Sequence, residues 1–477
     1  MMLGDLDTIA AIATARGSGA LSIVRISGPQ TAAIVKKCFT NSTFDPEISH
    51  QATFGLWKDP ASDSPIDEVV LLNFSEGRGF TGEPSVEITC HGGMQVTELV
   101  LEALLNAGAR LARPGEFTYR AVMNGRLDLT KAEGILELIN ARSPRAAARA
   151  LEQMRGALSQ KLSEMEKEII HILANLEASI DFSTEDIQPI DLQEMTIRVR
   201  RLQSSVDELL GSYLKNRIVT RGLRVVMAGK PNGGKSSLLN KLLGKDRSIV
   251  SPTPGTTRDT VEDDLLLEGY IFRLVDTAGI RDSLEHQPIH DQERHTENHP
   301  ENHIEKQGIE RTLKELGAAD VVVYVVDSSV GLANDDVQRI KEIGPSATIV
   351  CFNKEDLQGI RAKEILERFG LMDFRFVTSS ALESDGVAEV KRALLDIVKT
   401  ATDGEMTSVI STQRQKESLQ ALGAGLFSAA ELLQKSASPE LVALEMKESL
   451  HRLQNVIGKN VGDDVMDQVF REFCIGK

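Results

Sequence analysis

The sequence predicts a multidomain protein with an N-terminal α+β module, a helical region, and an α/β domain inserted into that helical region. Residues 1–120 mix short alternating strands with one helix. Apolar residues then recur every three or four positions from about residue 127 to 215, and again from about 413 to the end. The segment between them, about 221–400, alternates apolar strands with helical patterns and carries a glycine-rich loop. Because the helical pattern resumes after this segment, we expect an insertion.

Individual elements follow from the same periodicities. In the first module we predict strands at residues 21–26 and 86–90 and a helix at 96–111. In the helical region, apolar residues that recur every three or four positions form one face of a helix. A second face of this kind occurs in the last helices. These two faces comprise Leu158, Leu162, Met165, Ile169, Ile172, Leu176 and Ile180, and then Leu450, Leu453 and Ile457.

Length and composition indicate a soluble globular protein of two or three domains. The chain has 477 residues, of which 41% are hydrophobic and 26% charged. No apolar run reaches the ~18 residues of a membrane span, and the first seven residues are acidic rather than basic, so we expect a cytoplasmic protein without a targeting peptide. The net charge of −16 means that any nucleic-acid contact needs a local basic patch. The four cysteines are too far apart to predict zinc or disulfides.

Residues 229–236 form a G-x-x-x-x-G-K-S loop between the apolar strand Leu223–Ala228 and a helical pattern that begins at Ser237. Such glycines let backbone N–H groups turn around a β-phosphate. Lys235 adds a positive charge for the β and γ oxygens, and the hydroxyl of Ser236 can bind Mg²⁺. The alternative is a glycine-rich turn, but a strand before and a helix after the loop favour a phosphate site.

Three further boxes each follow a predicted strand, where open α/β sheets bind ligands. They are Asp276-Thr277-Ala278-Gly279, Asn353-Lys354-Glu355-Asp356 and Ser379-Ser380-Ala381. Asp276 can hold Mg²⁺ through water, and Gly279 N–H can sense a γ-phosphate. The carboxylate of Asp356 can accept from a guanine edge, which selects GTP over ATP. Each box alone fits an ordinary polar turn; their order together predicts a GTP site.

The segment that would respond to the γ-phosphate contains Thr256-Thr257-Arg258-Asp259, and Thr257 is the best candidate for a threonine that closes on Mg²⁺. Many GTPases place a water-orienting glutamine after the D-x-x-G glycine. Here that position is Ile280, which cannot orient water. The sequence therefore predicts slow hydrolysis or a catalytic group from elsewhere.

A polar stretch at residues 282–304 holds five of the nine histidines. Spacings of four and five residues would suit a metal site on a helix. Its prolines, its asparagine and glutamate content and its position after D-x-x-G favour a mobile switch-loop insertion.

The chain ends in Phe473-Cys474-Ile475-Gly476-Lys477, the most specific of several motifs. The others are residues 7–14, 23–28, 80–83, 91–93, 113–117, 229–240 and 255–259. On these motifs the chain resembles, along nearly its whole length, the tRNA uridine modification GTPase family MnmE, also called TrmE.

The resemblance implies the domains and the role. It implies an N-terminal tetrahydrofolate-binding and dimerisation domain at 1–122, a helical domain at 123–218 and 401–477, and an inserted Ras-like G domain at 219–400. It further implies that the chain, with the flavoprotein MnmG, installs a (carboxymethyl)aminomethyl group on carbon 5 of the wobble uridine, position 34, of certain tRNAs. The implied cofactors are 5,10-methylene- or 5-formyl-tetrahydrofolate, K⁺ and Mg²⁺, with GTP as substrate. The implied partners are a second copy, MnmG in a heterotetramer, and tRNA.

The resemblance also implies site residues. Arg25, Glu87, Arg126 and Lys477 match the folate-contacting positions, although lysine is familiar at position 126. A folate has an anionic tail and a pterin with donor and acceptor edges, which suits these charges. Cys474 is implied as a reactive thiol; a small buried apolar role is the alternative. Without the resemblance, Arg25 and Glu87 fit the polar face of strands.

The resemblance implies that K⁺ activates hydrolysis, which would offset the lack of a glutamine after the D-x-x-G glycine. The resemblance implies that Asn232, Ser251, Thr253 and Thr256 bind K⁺, that Ser236 and Thr257 bind Mg²⁺, and that Glu305 orients the water. Read alone, Glu305 fits an acid near a helix N-terminus. The residues expected at the nucleotide are Asn232, Gly233, Gly234, Lys235, Ser236, Ser237, Ser251, Thr256, Thr257, Asp276, Thr277, Ala278, Gly279, Asn353, Lys354, Asp356, Ser380 and Ala381.

A competing interpretation is a ribosome-assembly GTPase that binds RNA without modifying it. Such a protein should carry an RNA-binding module such as a KH domain, and the sequence contains no recognisable one. Arginines of the helical region are candidates for tRNA contact, with a solvated helix face as the alternative. They are Arg142, Arg145, Arg149, Arg155, Arg198, Arg200 and Arg201.

Overall fold

The computed structural model describes residues 7–181, 192–244, 262–276, 316–357, 362–403 and 409–477. These fall into two compact units. The first comprises Met1–Ile139, Leu151–Leu210 and Thr412–Lys477, and the second comprises Asn140–Ala150 and Gly211–Ser411. The chain thus leaves the first unit after Leu210 and returns to it at Thr412. The multidomain character predicted from the sequence is confirmed; the predicted boundaries at 122, 218 and 400 stay predictions.

The strands and helices of the described residues are as follows. The strands are β1 Ile9–Ile12, β2 Leu21–Ser27, β3 Phe39–Thr40, β4 Ala52–Lys58, β5 Pro65–Phe74, β6 Ser85–His91, β7 Arg110–Leu111, β8 Leu223–Ala228, β9 Glu262–Leu267, β10 Tyr270–Asp276, β11 Val321–Asp327, β12 Thr348–Asn353 and β13 Arg375–Thr378. The helices are α1 Thr31–Cys38, α2 Met94–Ala107, α3 Glu116–Met123, α4 Leu129–Asn140, α5 Pro144–Met154, α6 Ala157–Asp181, α7 Leu192–Arg221, α8 Lys235–Leu243, α9 Asn334–Ile343, α10 Ala362–Phe369, α11 Ala388–Thr402, α12 Gln413–Gln434, α13 Pro439–Ile457 and α14 Asp463–Arg471.

The N-terminal sheet has the strand order β3-β4-β5-β6-β2-β1-β7, antiparallel except for the pair β1 and β7. Helices α1 and α2 pack on one face, where Ile34 and Leu104 share a core with Val24 and Ile88. The helix predicted at 96–111 ends at residue 107, because Gly108 takes a left-handed conformation with φ 119°.

The helices of the first unit bury the faces that their periodicity predicts. On α6, Leu158, Leu162 and Ile169 are among the apolar residues that are fully or almost fully buried. At the point where the chain returns from the second unit, Thr412 caps α12, and its side chain accepts a hydrogen bond from Gln415 N at 3.2 Å. No helix in the described part of the chain is long and apolar enough to cross a bilayer.

The second unit is a doubly wound sheet with the strand order β13-β12-β11-β8-β10-β9, parallel except for the pair β9 and β10. Helices α8 and α11 pack on one face, and α9 and α10 on the other. Loops that follow the parallel strands β8, β10, β11 and β12 therefore meet at one edge of the sheet. The predicted boxes at 229–236, 276–279 and 353–356 begin at this edge.

Candidate functional sites

The glycine-rich loop connects β8 to α8 in a conformation that requires its glycines. Gly229 has φ 130° and Gly234 has φ 90°. A methyl group on Gly229 would collide with the carbonyl oxygen of Val325, and one on Gly234 with the side-chain amide of Asn353. Between them, Asn232 also adopts a left-handed φ of 60°. The loop is therefore a tight turn that requires glycine at positions 229 and 234.

Lys235 extends back across this loop from the first turn of α8. Its Nζ donates to the carbonyl oxygens of Gly229 at 3.1 Å and Lys230 at 2.8 Å, and the residue is only 6% exposed. This holds a positive charge at the mouth of the loop, beside the N-terminus of a helix, which is the arrangement that binds phosphate.

Two oxygen donors meet beside the lysine. The hydroxyl of Ser236 donates to Oδ2 of Asp276 at 2.6 Å, although the two residues are 40 positions apart. Parallel pairing brings them together, because β10 lies next to β8 with Asp276 opposite Met227. Hydroxyl and carboxylate oxygens are ligands that Mg²⁺ prefers, directly or through water. The two side chains therefore fit the magnesium role predicted for them.

The base-side boxes are held together by side-chain hydrogen bonds. Asn353 donates to Gly233 O at 3.1 Å and accepts from Ser379 Oγ at 3.0 Å. Ser380 Oγ donates to Oδ1 of Asp356 at 2.6 Å. Asp356 is exposed while Ser380 is buried, so the serine orients a carboxylate that faces solvent. Such a carboxylate can accept hydrogen bonds from a guanine edge.

Some predicted nucleotide and ion residues lie outside the described residues. They are Ser251, Thr253, Thr256, Thr257, Thr277, Ala278, Gly279 and Glu305, together with Ile280 and the histidine-rich stretch at 282–304. Ser237 is exposed on the first turn of α8, and Ala381 is half-buried next to Ser380.

A second site lies in the N-terminal sheet. Arg25 on β2 is paired in register with Glu87 on β6, and its Nε and Nη2 both donate to Glu87 Oε1, at 3.0 and 2.6 Å. The guanidinium lies 5.6 Å from the ring centres of both Phe80 and Phe117. The two charged side chains are partly exposed, so they can donate to and accept from the polar edges of a ligand.

The C-terminal residues pack against this pair. Arg25 Nη1 donates to Gly476 O at 3.4 Å, and Gly115 N donates to Cys474 O at 3.3 Å. The fold thus brings Gly476, the residue before Lys477, into contact with Arg25, 451 positions away in the chain. The folate role of Lys477 stays a prediction. Arg126 is exposed, and its alkyl chain packs over Gly82: a methyl group there would lie 3.1 Å from Arg126 Cγ.

Cys474 is the exposed cysteine, whereas Cys38, Cys90 and Cys351 are buried. Burial raises the pKa of the Cys38 and Cys351 thiols to about 12. Those two thiols are therefore neutral and unreactive at physiological pH, which leaves Cys474 as the accessible sulfur.

Sequence reasoning missed several residues that shape these sites. Phe80 and Phe117 were in motifs that matched the family but had no assigned role. Asp327 is the last residue of strand β11, as Asp276 is of β10, and this position at the end of a strand could have identified it.

Three of the arginines considered for RNA contact have partners within the chain. Arg142 pairs with Asp264 at 3.1 Å, and the Arg145 guanidinium lies 4.4 Å over the ring of Tyr270. Arg198 pairs with Glu168 at 3.1 Å and with Glu194 at 2.9 Å. An RNA role for these residues stays a prediction.

Comparisons with known proteins match nearly the whole length of the chain. The model of the GTP-binding protein TrmE N-terminus matches residues 8–126, and that of the MnmE helical domain matches residues 129–474. The chain is 39% identical to the tRNA modification GTPase MnmE of Bdellovibrio bacteriovorus, over 99% of this chain and 98% of that one. It is also 39% identical to that of Moorella thermoacetica, over 99% of both chains.

The chain is also 26% identical to a solved G domain of the T. maritima FeoB iron transporter. This likeness covers 37% of this chain and 98% of that one, and its TM-score is 0.25. The full-length matches are decisive by themselves. The chain belongs to the tRNA modification GTPase MnmE family.

Proposed function

We propose that this chain hydrolyses GTP to drive the modification of tRNA. With MnmG, it would install a (carboxymethyl)aminomethyl group at carbon 5 of the wobble uridine, using a one-carbon unit from tetrahydrofolate. The observation that carries the proposal is that one chain holds both sites: a phosphate loop with a guanine-type box, and an Arg25–Glu87 pair packed against the C-terminal residues. The family relationship favours this function over an RNA-assembly GTPase.

The N-terminal site supports folate as the ligand. Its Arg25 guanidinium lies 5.6 Å from the centres of two phenylalanine rings and pairs with the Glu87 carboxylate. The two charged groups suit a pterin with donor and acceptor edges. Arg126 and Lys477 add positive charge for the anionic glutamate tail. Cys474 is exposed and precedes by two residues Gly476, whose carbonyl oxygen accepts from Arg25, so it is the proposed reactive thiol.

In the nucleotide site, Ser236 would bind Mg²⁺ directly and Asp276 through water, with Thr257 completing the set. Mg²⁺ would neutralise charge on the β and γ oxygens. Lys235 binds those oxygens, and Asp356 selects guanine. Asn232, Ser251, Thr253 and Thr256 would bind K⁺, which supplies the positive charge that an arginine finger gives in other GTPases, and Glu305 would orient the water.

A homodimer through the N-terminal domain is supported by the open face of its sheet. Phe54 on β4 is 60% exposed, and it lies opposite Val70 on β5, which is 40% exposed. Leu21 on β2 is 64% exposed and lies on the same face. Large exposed apolar side chains on one face of a sheet are typical of an interaction site. The domain boundaries at 122, 218 and 400 belong to the same proposal.

Nucleoside analysis of tRNA tests the function. In a strain that lacks this protein, modified wobble uridines should be lost. They should return with the wild-type chain and not with Lys235→Ala. Normal wobble uridines in the deletion strain would refute the proposal.

A further inference from the structure

Residues 230–233 of the phosphate loop border a partly open cavity of about 200 Å³ that is also lined by the end of β11 and by Val330 and Gly331. On this side the loop faces a recess and not the close-packed side chains of a protein interior. The left-handed φ of 60° at Asn232 adds strain that the surroundings must offset. Interactions other than apolar packing must therefore hold this loop in shape.

One such interaction runs from Asp327 through Lys354. Lys354 Nζ donates to the carbonyl oxygen of Asn232 at 3.0 Å and to Asp327 Oδ2 at 2.6 Å. Asp327 is itself fixed, because its Oδ1 accepts from Ser329 N at 2.9 Å and from Ser329 Oγ at 2.6 Å. The carboxylate thus fixes the ammonium group, and the ammonium group fixes the strained residue of the loop.

A second interaction holds the start of the loop. Lys230 Nζ lies 2.9 Å from Asp336 Oδ2, on the first turn of α9. The Asp336 side chain is only 6% exposed and accepts from Tyr324 OH at 2.8 Å and from Ala333 N at 3.0 Å. A buried carboxylate with three donors has little freedom to move, so it is a rigid anchor for Lys230.

Both carboxylates are charged at neutral pH. Burial raises the pKa of Asp327, but hydrogen bonds from Lys354 and Ser329 lower it more, so the net pKa is below the ordinary value. Burial likewise raises the pKa of Asp336, and its bonds from Lys230 and Ala333 outweigh that effect. Both interactions are therefore charge-assisted, which makes them stronger than neutral hydrogen bonds.

We propose that Asp327 and Asp336 are positioning residues of the nucleotide site, which hold the phosphate loop in its binding conformation through Lys354 and Lys230. The inference rests on the proposed GTP site and adds two residues that lie outside its sequence boxes. Binding groups must be held within roughly 0.5 Å to work. With a cavity behind the loop, loss of either contact lets the loop move away from the β-phosphate.

The test compares binding of GDP, which has phosphates, with binding of guanosine, which has none. Asp327→Asn and Lys230→Met should each weaken GDP binding about tenfold, the size of one charge-assisted hydrogen bond. Guanosine binding should change less than about twofold for Lys230→Met, because Lys230 lies outside the guanine-type box at residues 353–356. For Asp327→Asn, which also releases Lys354 of that box, the loss of GDP affinity should still exceed the loss of guanosine affinity. Lys230 is half exposed, so Lys230→Met is compatible with folding.

Two controls accompany these variants. Lys230→Arg keeps a cation and should recover GDP affinity to within about threefold of the wild type. Asp335→Asn removes the same charge from an exposed neighbour on α9 and should leave both affinities unchanged. Equal losses for GDP and guanosine, or no loss for either variant, would overturn the inference while the GTP site stands. A wild-type chain that binds no GDP would instead refute the proposed function, and this inference with it.

Discussion

Replacing Gly476 by alanine should release the C-terminal residues from the N-terminal site. Gly476 has φ 92°, where an alanine costs roughly 1–2 kcal/mol. Its new methyl group would also collide with the carbonyl oxygen of Ile12 and lie 3.0 Å from Ala13 Cα. Ile12 is paired with Val24 in the sheet, so the strand cannot move aside easily. The tail must move instead.

The contacts that hold the tail are of similar size to this strain. Gly476 O accepts from Arg25 at 3.4 Å, and Cys474 O accepts from Gly115 N at 3.3 Å. Each bond contributes about 0.5–1.5 kcal/mol, and long bonds fall at the lower end. Ile475 is 43% exposed and adds little burial. The two hydrogen bonds that hold the tail thus contribute about 1–3 kcal/mol. The strain at position 476 costs roughly 1–2 kcal/mol, and the backbone collision adds to that cost. Residues 474–477 should therefore detach, while Phe473, only 4% exposed, stays in place.

Two assays follow the detachment. Carboxypeptidase should remove Lys477 from Gly476→Ala at least about tenfold faster than from the wild type, and tetrahydrofolate should bind about tenfold more weakly, with GDP binding unchanged. Gly211→Ala is the matched control, because a methyl group there meets nothing within 4 Å. Wild-type protease resistance in Gly476→Ala would refute the steric argument. Faster cleavage with unchanged folate binding would refute only the role of the tail in the site.

Four further predictions concern the nucleotide site and acid stability. Asp356→Asn should weaken GDP binding by about a hundredfold, roughly 3 kcal/mol for two charge-assisted hydrogen bonds, and favour xanthosine diphosphate; retained GDP selectivity in competition binding would contradict it. Ser236→Ala should raise the Mg²⁺ concentration for half-maximal GTPase activity about tenfold, since a direct ligand is lost; an unchanged Mg²⁺ titration would exclude that role. GTP turnover should rise strongly when K⁺ replaces Na⁺, and equal rates would remove the potassium proposal. Burial raises the pKa of Glu116, but Arg110 and other donors bring it below its ordinary value of 4.5. Its stabilisation is therefore complete above pH 4.5 and is lost as the pH falls through the lower native pKa. Glu116→Gln should reduce the free energy of unfolding at pH 7 and flatten its acid dependence, as urea titrations from pH 7 to 3 would show; parallel curves would contradict this.

The local features of the fold could be predicted from the sequence pattern, because each depends on residues that are close together in the chain. Strand β8 is a short apolar run, and the glycines of the loop after it permit the turn that phosphate binding needs. The helix predicted to reach residue 111 shows the limit of periodicity. A left-handed glycine at 108 ends the helix, and residues 110 and 111 pair with β1 instead.

The sequence pattern does not predict which side chains contact each other within each site. Nothing in the spacing of Asp327 and Lys354 marks them as an ion pair, because parallel strands β11 and β12 bring their ends together only in the folded sheet. Asp336 belongs to none of the sequence motifs, yet its burial and its contact with Lys230 tie it to the phosphate loop.

The residue types of the proposed sites can be recognised without a structure, because the phosphate loop, the guanine-type box and the charged residues of the N-terminal site occur at set spacings. Which of these residues contact each other depends on the folded chain. Ser236 reaches Asp276 through parallel strand pairing, and Gly476 reaches Arg25 from the opposite end of the chain. The physical reason is that motifs are set by local backbone geometry, whereas contacts between distant residues depend on the packing of the whole unit, which no local pattern encodes.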